Sequence, residues 1–425
     1  MSTCYKYLRE TRGSATNYDL NLHLLTNVRP THGLLLCADW SQLARLSVTV
    51  SLLVFAFLGA AGLVGYTFVG YPLLIARYAG PERDDDSHAH DFAVTVVISA
   101  YNASKYIDAR IENLLAQDYP EDRLSIIVVD DGSADNTWDL LKRWADHPRI
   151  TLIAQEKNGG KALALNTGLK QAKSELVVLT DVRQRFEPNT IDRLARHFTD
   201  PGVGAVTGNL VFRDSENPDP QGGYWDIEKA IRSNESRYRS TVGVTGAVYA
   251  ARRELIEEVP EGLILDDVMI PMRIVRAGYR VKFETAAIAY DTKSDTLGEE
   301  YYRKVRTLAG NWQLLAQAPW LLSRSENPIF FEFISHKVLR LLAPWALIIT
   351  LICAWCLRDI AFFNVIFFSQ LTLIGLAAIG WVAYMARLRV PLASQLMGFA
   401  MLNIAAIVGT WKFFIGRQKD LWRTH

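Results

Sequence analysis

Four short runs decide the fold: AVTVVISA at 93–100, SIIVVDD at 125–131, ITLIAQ at 150–155 and ELVVLTD at 175–181. Each is β-rich and almost wholly apolar, and each gives way to a polar turn and a helix-like segment. A strand apolar on both faces belongs in the middle of a sheet covered on both sides, as parallel sheets are. The alternation therefore predicts an α/β domain with a mostly parallel sheet flanked by helices. Two further runs, GAVTGNLVF at 204–212 and AVYAAR at 247–252, extend it. Asp130, Asp131 and Asp181 stand at carboxyl ends of these strands, where an open α/β sheet places its ligand.

Outward from these strands the domain extends over 92–320, and apolar sequence lies on either side. Residues 46–78 carry no charge before Arg77 and exceed the roughly 20 residues that cross a bilayer, which predicts one tilted membrane helix. PERDDDSHAHD at 81–91 reads as a linker, its Pro and charges ending the apolar run. Residues 1–45 form a polar extension, with Arg9, Arg12, Arg29 and Arg45 and no signal-peptide pattern. Beyond the domain, His336, Lys337 and Arg340 share one side of FFEFISHKVLRLLAP, so 321–340 reads as an interfacial helix. About three membrane helices follow within 341–415, at 341–357, 361–385 and 392–414, before a tail at 416–425. One helix before a cytoplasmic domain and three after it put both termini outside. Arg387 and Arg389 suit that arrangement, whereas Arg417, Lys419 and Arg423 pull the tail inward.

Net charge is +1 and no basic stripe with interleaved aromatics occurs, which excludes nucleic acid as a partner. The four cysteines, Cys4, Cys37, Cys353 and Cys356, all lie outside the domain, so a disulfide framework is not expected there and a reducing compartment fits. Cys353 and Cys356 form C-x-x-C without His or acidic company and read as small membrane-helix residues. Few ionisable residues interrupt the apolar spans, which argues against a transporter.

The chemistry should rest on the acids. Asp130 and Asp131 precede Gly132-Ser133 at a strand-to-helix turn; their carboxylates can accept hydrogen bonds from a ligand, and D-D-G-S alone reads equally as a turn with a helix cap. Asp181 would face any phosphate held at the sheet edge. Two anions need a cation between them, and hard oxygen ligands select Mg²⁺ or Mn²⁺. Asp266 and Asp267 adjoin one another in GLILDDVMIP. Repulsion and burial raise one pKa of such a pair, as suits a proton acceptor, while a simple cap for the following helix is the alternative.

Read together from ISAYN (98–102) to RKVRTLAGNWQ (303–313), these motifs resemble a family 2 glycosyltransferase of the GT-A fold. The flanking helices resemble the membrane-bound polysaccharide synthase branch, which includes hyaluronan, chitin and poly-N-acetylglucosamine synthases. The resemblance implies that Ser99, Ala100 and Tyr101 contact the nucleobase, with Asp130 and Asp131 beside them. It makes Lys161, within KNGGKALALN at 157–166, a donor-phosphate contact. The family's D-x-D metal motif is reduced to Asp181-Val182-Arg183, so a cation would be held by Asp181, diphosphate oxygens and water, or Arg183 would supply charge directly. Ala103 replaces the usual acid after the first Y-N. Asp267, neighboured by Asp266, maps onto the catalytic base of a single inverting displacement, and Thr245-Gly246-Ala247 onto the loop bordering the acceptor. The processive Q-x-x-R-W motif is incomplete: Arg303 and Arg306 offer arginines for the diphosphate, the Gln and Trp are missing, and Trp312 and Gln313 follow as possible substitutes, Trp312 against the acceptor sugar.

The function so implied is transfer of a sugar from a nucleotide-sugar, expected to be a UDP-sugar, to a growing polysaccharide, with export along the C-terminal helices. Single transfer to a lipid-linked acceptor is one alternative, and a non-catalytic nucleotide-sugar-sensing subunit is another. The expected partners are the donor, a glycan or lipid-linked acceptor and membrane lipids. The expected location is a bacterial inner membrane, with the domain in the cytoplasm.

Overall fold

The computed structural model describes residues 40–81, 92–213, 222–292, 296–388 and 390–416. The polar extension up to residue 39, the linker from 82 and the basic tail from 417 lie outside the described residues. The chain divides into two units, Met1–Leu52 and Leu53–His425. The described part of the first is the opening of helix α1 (Trp40–Gly65). A π turn (Tyr66–Gly70) and α2 (Tyr71–Tyr78) continue that helix.

Eight described strands make one sheet: β1 (Val94–Ala100), β2 (Leu124–Asp130), β3 (Ile150–Ala154), β4 (Leu176–Thr180), β5 (Arg185–Phe186), β6 (Val203–Arg213), β7 (Tyr249–Arg252) and β8 (Arg280–Thr292). Their order is β3-β2-β1-β4-β7-β6-β8-β5. β7 runs against β4 and β6, and β5 against β8, while every other pairing is parallel. All six anticipated strands form. β5 and β8 were not anticipated, and β8 pairs with β6 over Arg280–Phe283 and again over Ile288–Thr292.

Side chains of a strand alternate between faces, and here each face builds its own core. Val97, Ile127, Val129, Val177 and Leu179 point to one side, under helices α3 (Lys161–Gln171) and α4 (Asp266–Arg276). Val94, Val96, Ile98, Ile126, Val128 and Val178 point to the other. Gly168 lets α3 lie directly on the strands, since a Cβ there would come within 2.6 Å of Val97 Cγ1.

Among the described residues four helices are long and apolar enough to cross a membrane: Ser47–Tyr78, Phe330–Cys356, Ala361–Met385 and Pro391–Phe414. Large apolar side chains along them, including Phe55, Phe362, Val365, Phe368 and Trp411, are exposed to the surroundings, as suits lipid. The expected separate interfacial helix over 321–340 is not a separate element. Residues 330–356 run on as one helix through a π turn at Ile334–Val338. His336 and Arg340 do not lie along a surface but turn inward onto Glu228, where ion pairing replaces the solvation an interface would have supplied. Helix α5 (Leu297–Gln317) packs along the last span: a Cβ on Gly409 would lie 3.0 Å from both Ala309 N and Val305 O.

Candidate active site

Three segment ends converge at the carboxyl edge of the sheet. Asp181 follows β4, Lys161 opens α3, and Asp266 and Asp267 open α4. Lys161 Nζ stands 3.0 Å from Asp181 Oδ1 and 3.4 Å from Asp266 Oδ2, so one ammonium bridges two carboxylates contributed by different elements. Burial works against that charge, but Asp181, Asp266 and Asp267 more than offset it and hold the ammonium above its ordinary range. Asp266 is buried, while the side chain of Asp181 is 43% exposed and faces open space.

Asp267 is the unusual member. Burial, then repulsion from Asp266, push its carboxyl up to about 6, with Lys161 opposing the shift. Its Oδ1 is buried with no hydrogen-bond partner among the described residues. A carboxylate oxygen kept dry and unpaired is a destabilised anion, and its free-energy debt is relieved by taking a proton. Gly246 walls this space: a Cβ there would lie 3.5 Å from both Lys161 Nζ and Asp267 Cβ.

The Thr245-Gly246 loop is fastened to Asp267 by a missing donor. Pro271 lies inside α4, and a proline has no N–H to give the carbonyl four residues earlier. That carbonyl belongs to Asp267, and it accepts instead from Val244 N at 2.9 Å. Thr245 N in turn donates to Thr207 Oγ1 at 3.0 Å. Asp267 and the loop are thus one hydrogen-bonded unit.

Other anticipated residues fare differently. Tyr101, beyond the end of β1, is 45% exposed, and its ring is open to a planar ligand, while Ala100 is buried and Ser99 partly so. Asp130 and Asp131 are both occupied by the protein rather than open to a ligand. Asp130 Oδ1 accepts from Ser133 Oγ at 2.5 Å, and Asp131 takes the N–H groups of Gly159 and Gly160 at 2.8 Å each. The turn alternative describes them, with the addition that Asp131 shapes the loop that delivers Lys161. Arg183 pairs with the buried Asp291 at 3.3 Å. Arg303 pairs with Glu300 at 2.9 Å on α5, and Arg306 is exposed on the same helix; neither contacts the acidic cluster. Trp312 is not presented to an acceptor: its Nε1 donates to Thr410 Oγ1 at 2.9 Å and its ring stacks on Phe413. The last span competes for that aromatic face and holds it. Gln313 ties α5 to the segment before α4, through Ile264 N and Gly262 O.

A buried junction escaped sequence reasoning. Glu235, on the helix Gly222–Tyr238, accepts at Oε1 from Tyr71 Oη at 2.6 Å, and the same oxygen lies 2.7 Å from His336 Nδ1. Its Oε2 accepts from Val242 N at 3.2 Å. It therefore joins the first span, the second span and the strand of chain leading to Gly246. The only local signal was an acid within an otherwise ordinary polar helix; the partners lie 164 and 101 residues away.

Among the described residues no group of three or more His, Cys, Asp or Glu side chains is placed to hold a metal ion unaided. Asp181, accessible and already bound to a cationic nitrogen, is the one acid of the cluster suited to share an ion with ligand oxygens.

Comparison with known proteins agrees with the fold. Residues 95–259 match the profile of glycosyl transferase family 2. A poly-β-1,6-N-acetyl-D-glucosamine synthase of Staphylococcus aureus is 25% identical over 284 residues, covering 65% of this chain and 68% of that protein. One from Staphylococcus epidermidis is 23% identical over 304 residues, 67% of this chain and 72% of the other. Among solved structures, a mannosyltransferase from Pyrobaculum calidifontis in complex with GDP-Man and Mn²⁺ superposes with a TM-score of 0.64 at 25% identity, covering 84% of this chain and 99% of that one.

Proposed function

We propose, from the premise that this chain carries a family 2 glycosyltransferase domain, that it transfers a sugar from a UDP-sugar to a growing polysaccharide with inversion at the anomeric carbon. The observation that carries the reading is the unpaired Oδ1 of Asp267 beside Lys161 and Gly246. An acceptor hydroxyl placed against Gly246 gives its proton to Asp267 as its oxygen bonds to the anomeric carbon. The bond from that carbon to the diphosphate breaks on the opposite side, and the leaving oxygen keeps the electron pair. Lys161 lies where positive charge would meet that developing anion. Tyr101 offers its ring to the base. A divalent ion, Mg²⁺ or Mn²⁺, would be held by Asp181 together with diphosphate oxygens, and would neutralise the leaving group when bound.

The protein is read as integral to a bacterial inner membrane, with the sheet in the cytoplasm, where nucleotide-sugars are made; the four apolar helices support the membrane part of that reading. A single transfer to a lipid-linked acceptor is the second reading. It is favoured by the engagement of Trp312 with Thr410 and Phe413, which withholds that indole from a sliding glycan.

The test is release of nucleoside diphosphate from UDP- and GDP-sugars by purified full-length protein with Mg²⁺, Mn²⁺ or EDTA, with product length resolved alongside. Turnover of one donor that is abolished in Asp267→Asn supports the enzyme, and long products support the polymerase. Nucleotide binding without turnover for any donor and acceptor extract would sink both readings.

A further inference from the structure

A second cavity of about 670 Å³ lies away from the acids, where β6 and β8 begin, at the ends of these strands opposite the carboxyl edge. Its wall includes Gly80 and Pro81, which follow directly on the span ending at Tyr78. Two residues of extended chain reach at most about 7 Å, so this wall lies beside the end of the first apolar span.

The lining is cationic. Five Lys and Arg side chains face two carboxylates, Asp200 and Glu284. Both carboxylates are already engaged: Asp200 pairs with Arg280, and Glu284 lies 2.6 Å from His197 Nε2. Arg196 is bound to Asp192 at 2.5 Å. Arg193 and Arg237 make no salt bridge among the described residues, and each has a buried Nε without a hydrogen-bond partner there. A guanidinium whose Nε is dry and unpaired is incompletely satisfied, and its planar fork fits phosphate oxygens. Arg237 Nη2 reaches only the neutral Asn234, at 2.5 Å.

We propose that this cavity receives the phosphodiester headgroup of an anionic membrane lipid, with Arg193 and Arg237 as its principal contacts and Lys282 adding charge. Two features of the structure favour a lipid over a soluble anion: the wall beside the end of an apolar span, and the excess of cations in a cavity that an anionic headgroup would enter. The inference rests on the membrane reading of Ser47–Tyr78 and not on the transfer reaction, so the two can fail separately.

The experiment follows the thermal unfolding midpoint of the purified full chain in a neutral detergent during titration with dioleoylphosphatidylglycerol, dioleoylphosphatidylcholine or inorganic phosphate. The expected result is a saturable rise with phosphatidylglycerol alone. In Arg193→Gln/Arg237→Gln the apparent affinity should fall at least tenfold, with nucleotide release in phosphatidylcholine nanodiscs unchanged. Should that double variant not fold, Lys282→Gln is read the same way, with a smaller loss expected. An equal rise with inorganic phosphate would assign the cavity to a soluble anion. An undiminished response in the folded variants, or no rise with phosphatidylglycerol, would overturn the proposal.

Discussion

Replacing Glu235 with Ala would remove one carboxylate and strand three groups at once: Tyr71 Oη, His336 Nδ1 and Val242 N. Glu235 is fully buried, so water cannot readily take its place. Each buried polar group left without a partner costs about 1–3 kcal/mol. The terms overlap, and about 4 kcal/mol is a fair sum after relaxation. In a domain of this size 1 kcal/mol shifts the unfolding midpoint by roughly 2–4 °C, so a fall of about 10 °C is expected, read by tryptophan fluorescence on the purified full chain. Glu235→Gln keeps one acceptor oxygen and should fall between Ala and wild type. Activity should suffer as well, because Val242 leads to Val244, whose N–H holds the Asp267 carbonyl; about a tenfold loss of kcat in Glu235→Ala is expected at temperatures where it stays folded. An Ala variant unfolding within about 2 °C of wild type would refute the reasoning, since it would mean that the two spans and the loop are not joined through this carboxylate.

Transfer by the wild type should lose activity as pH falls through about 6, because protonation of Asp267 removes the base; a pH–rate profile flat down to pH 5 would remove Asp267 from that role. Asp267→Asn should lower kcat by about a thousandfold or more with donor binding retained, within the usual range for loss of a general base and the charge beside it, as measured by nucleotide titration and diphosphate release. Pro271→Ala restores an N–H that competes with Val244 for the Asp267 carbonyl, so transfer should slow several-fold, roughly 1 kcal/mol, while thermal stability holds or rises; equal rates would show that the Val244 contact is dispensable. Gly246→Val should fold normally and raise KM for acceptor about tenfold or more, because its side chain fills the space between Lys161 and Asp267.

The parts legible in sequence were those with a local signature. Strands buried on both faces announce themselves by unbroken apolar runs, and the acids at their ends follow from direction alone. β8 hid because its residues, RVKFETAAIAYDT, mix charges and small side chains, and their burial alternates irregularly; only pairing with β6 makes it a strand. Two residues of β5 leave no pattern to read. Asp130 and Asp131 stand at the end of β2 as expected, but which protein N–H groups would claim them depends on a loop some 28 residues on. His336 and Arg340 looked interfacial because charge in an apolar helix ordinarily seeks water, and their acidic partner on a helix more than a hundred residues earlier has no trace in local sequence.

The close seat of α5 on the last span carries a practical consequence. With Val305, Ala309 and Ala405 forming one small core, and Trp312 hooked onto Thr410, the catalytic body is not a soluble enzyme tethered to an anchor. Its interior continues into the bilayer, and a fragment cut after residue 320 would carry an open seam in place of a finished surface. Such a protein cannot shed its membrane part without baring the face of α5 that carries Val305 and Ala309.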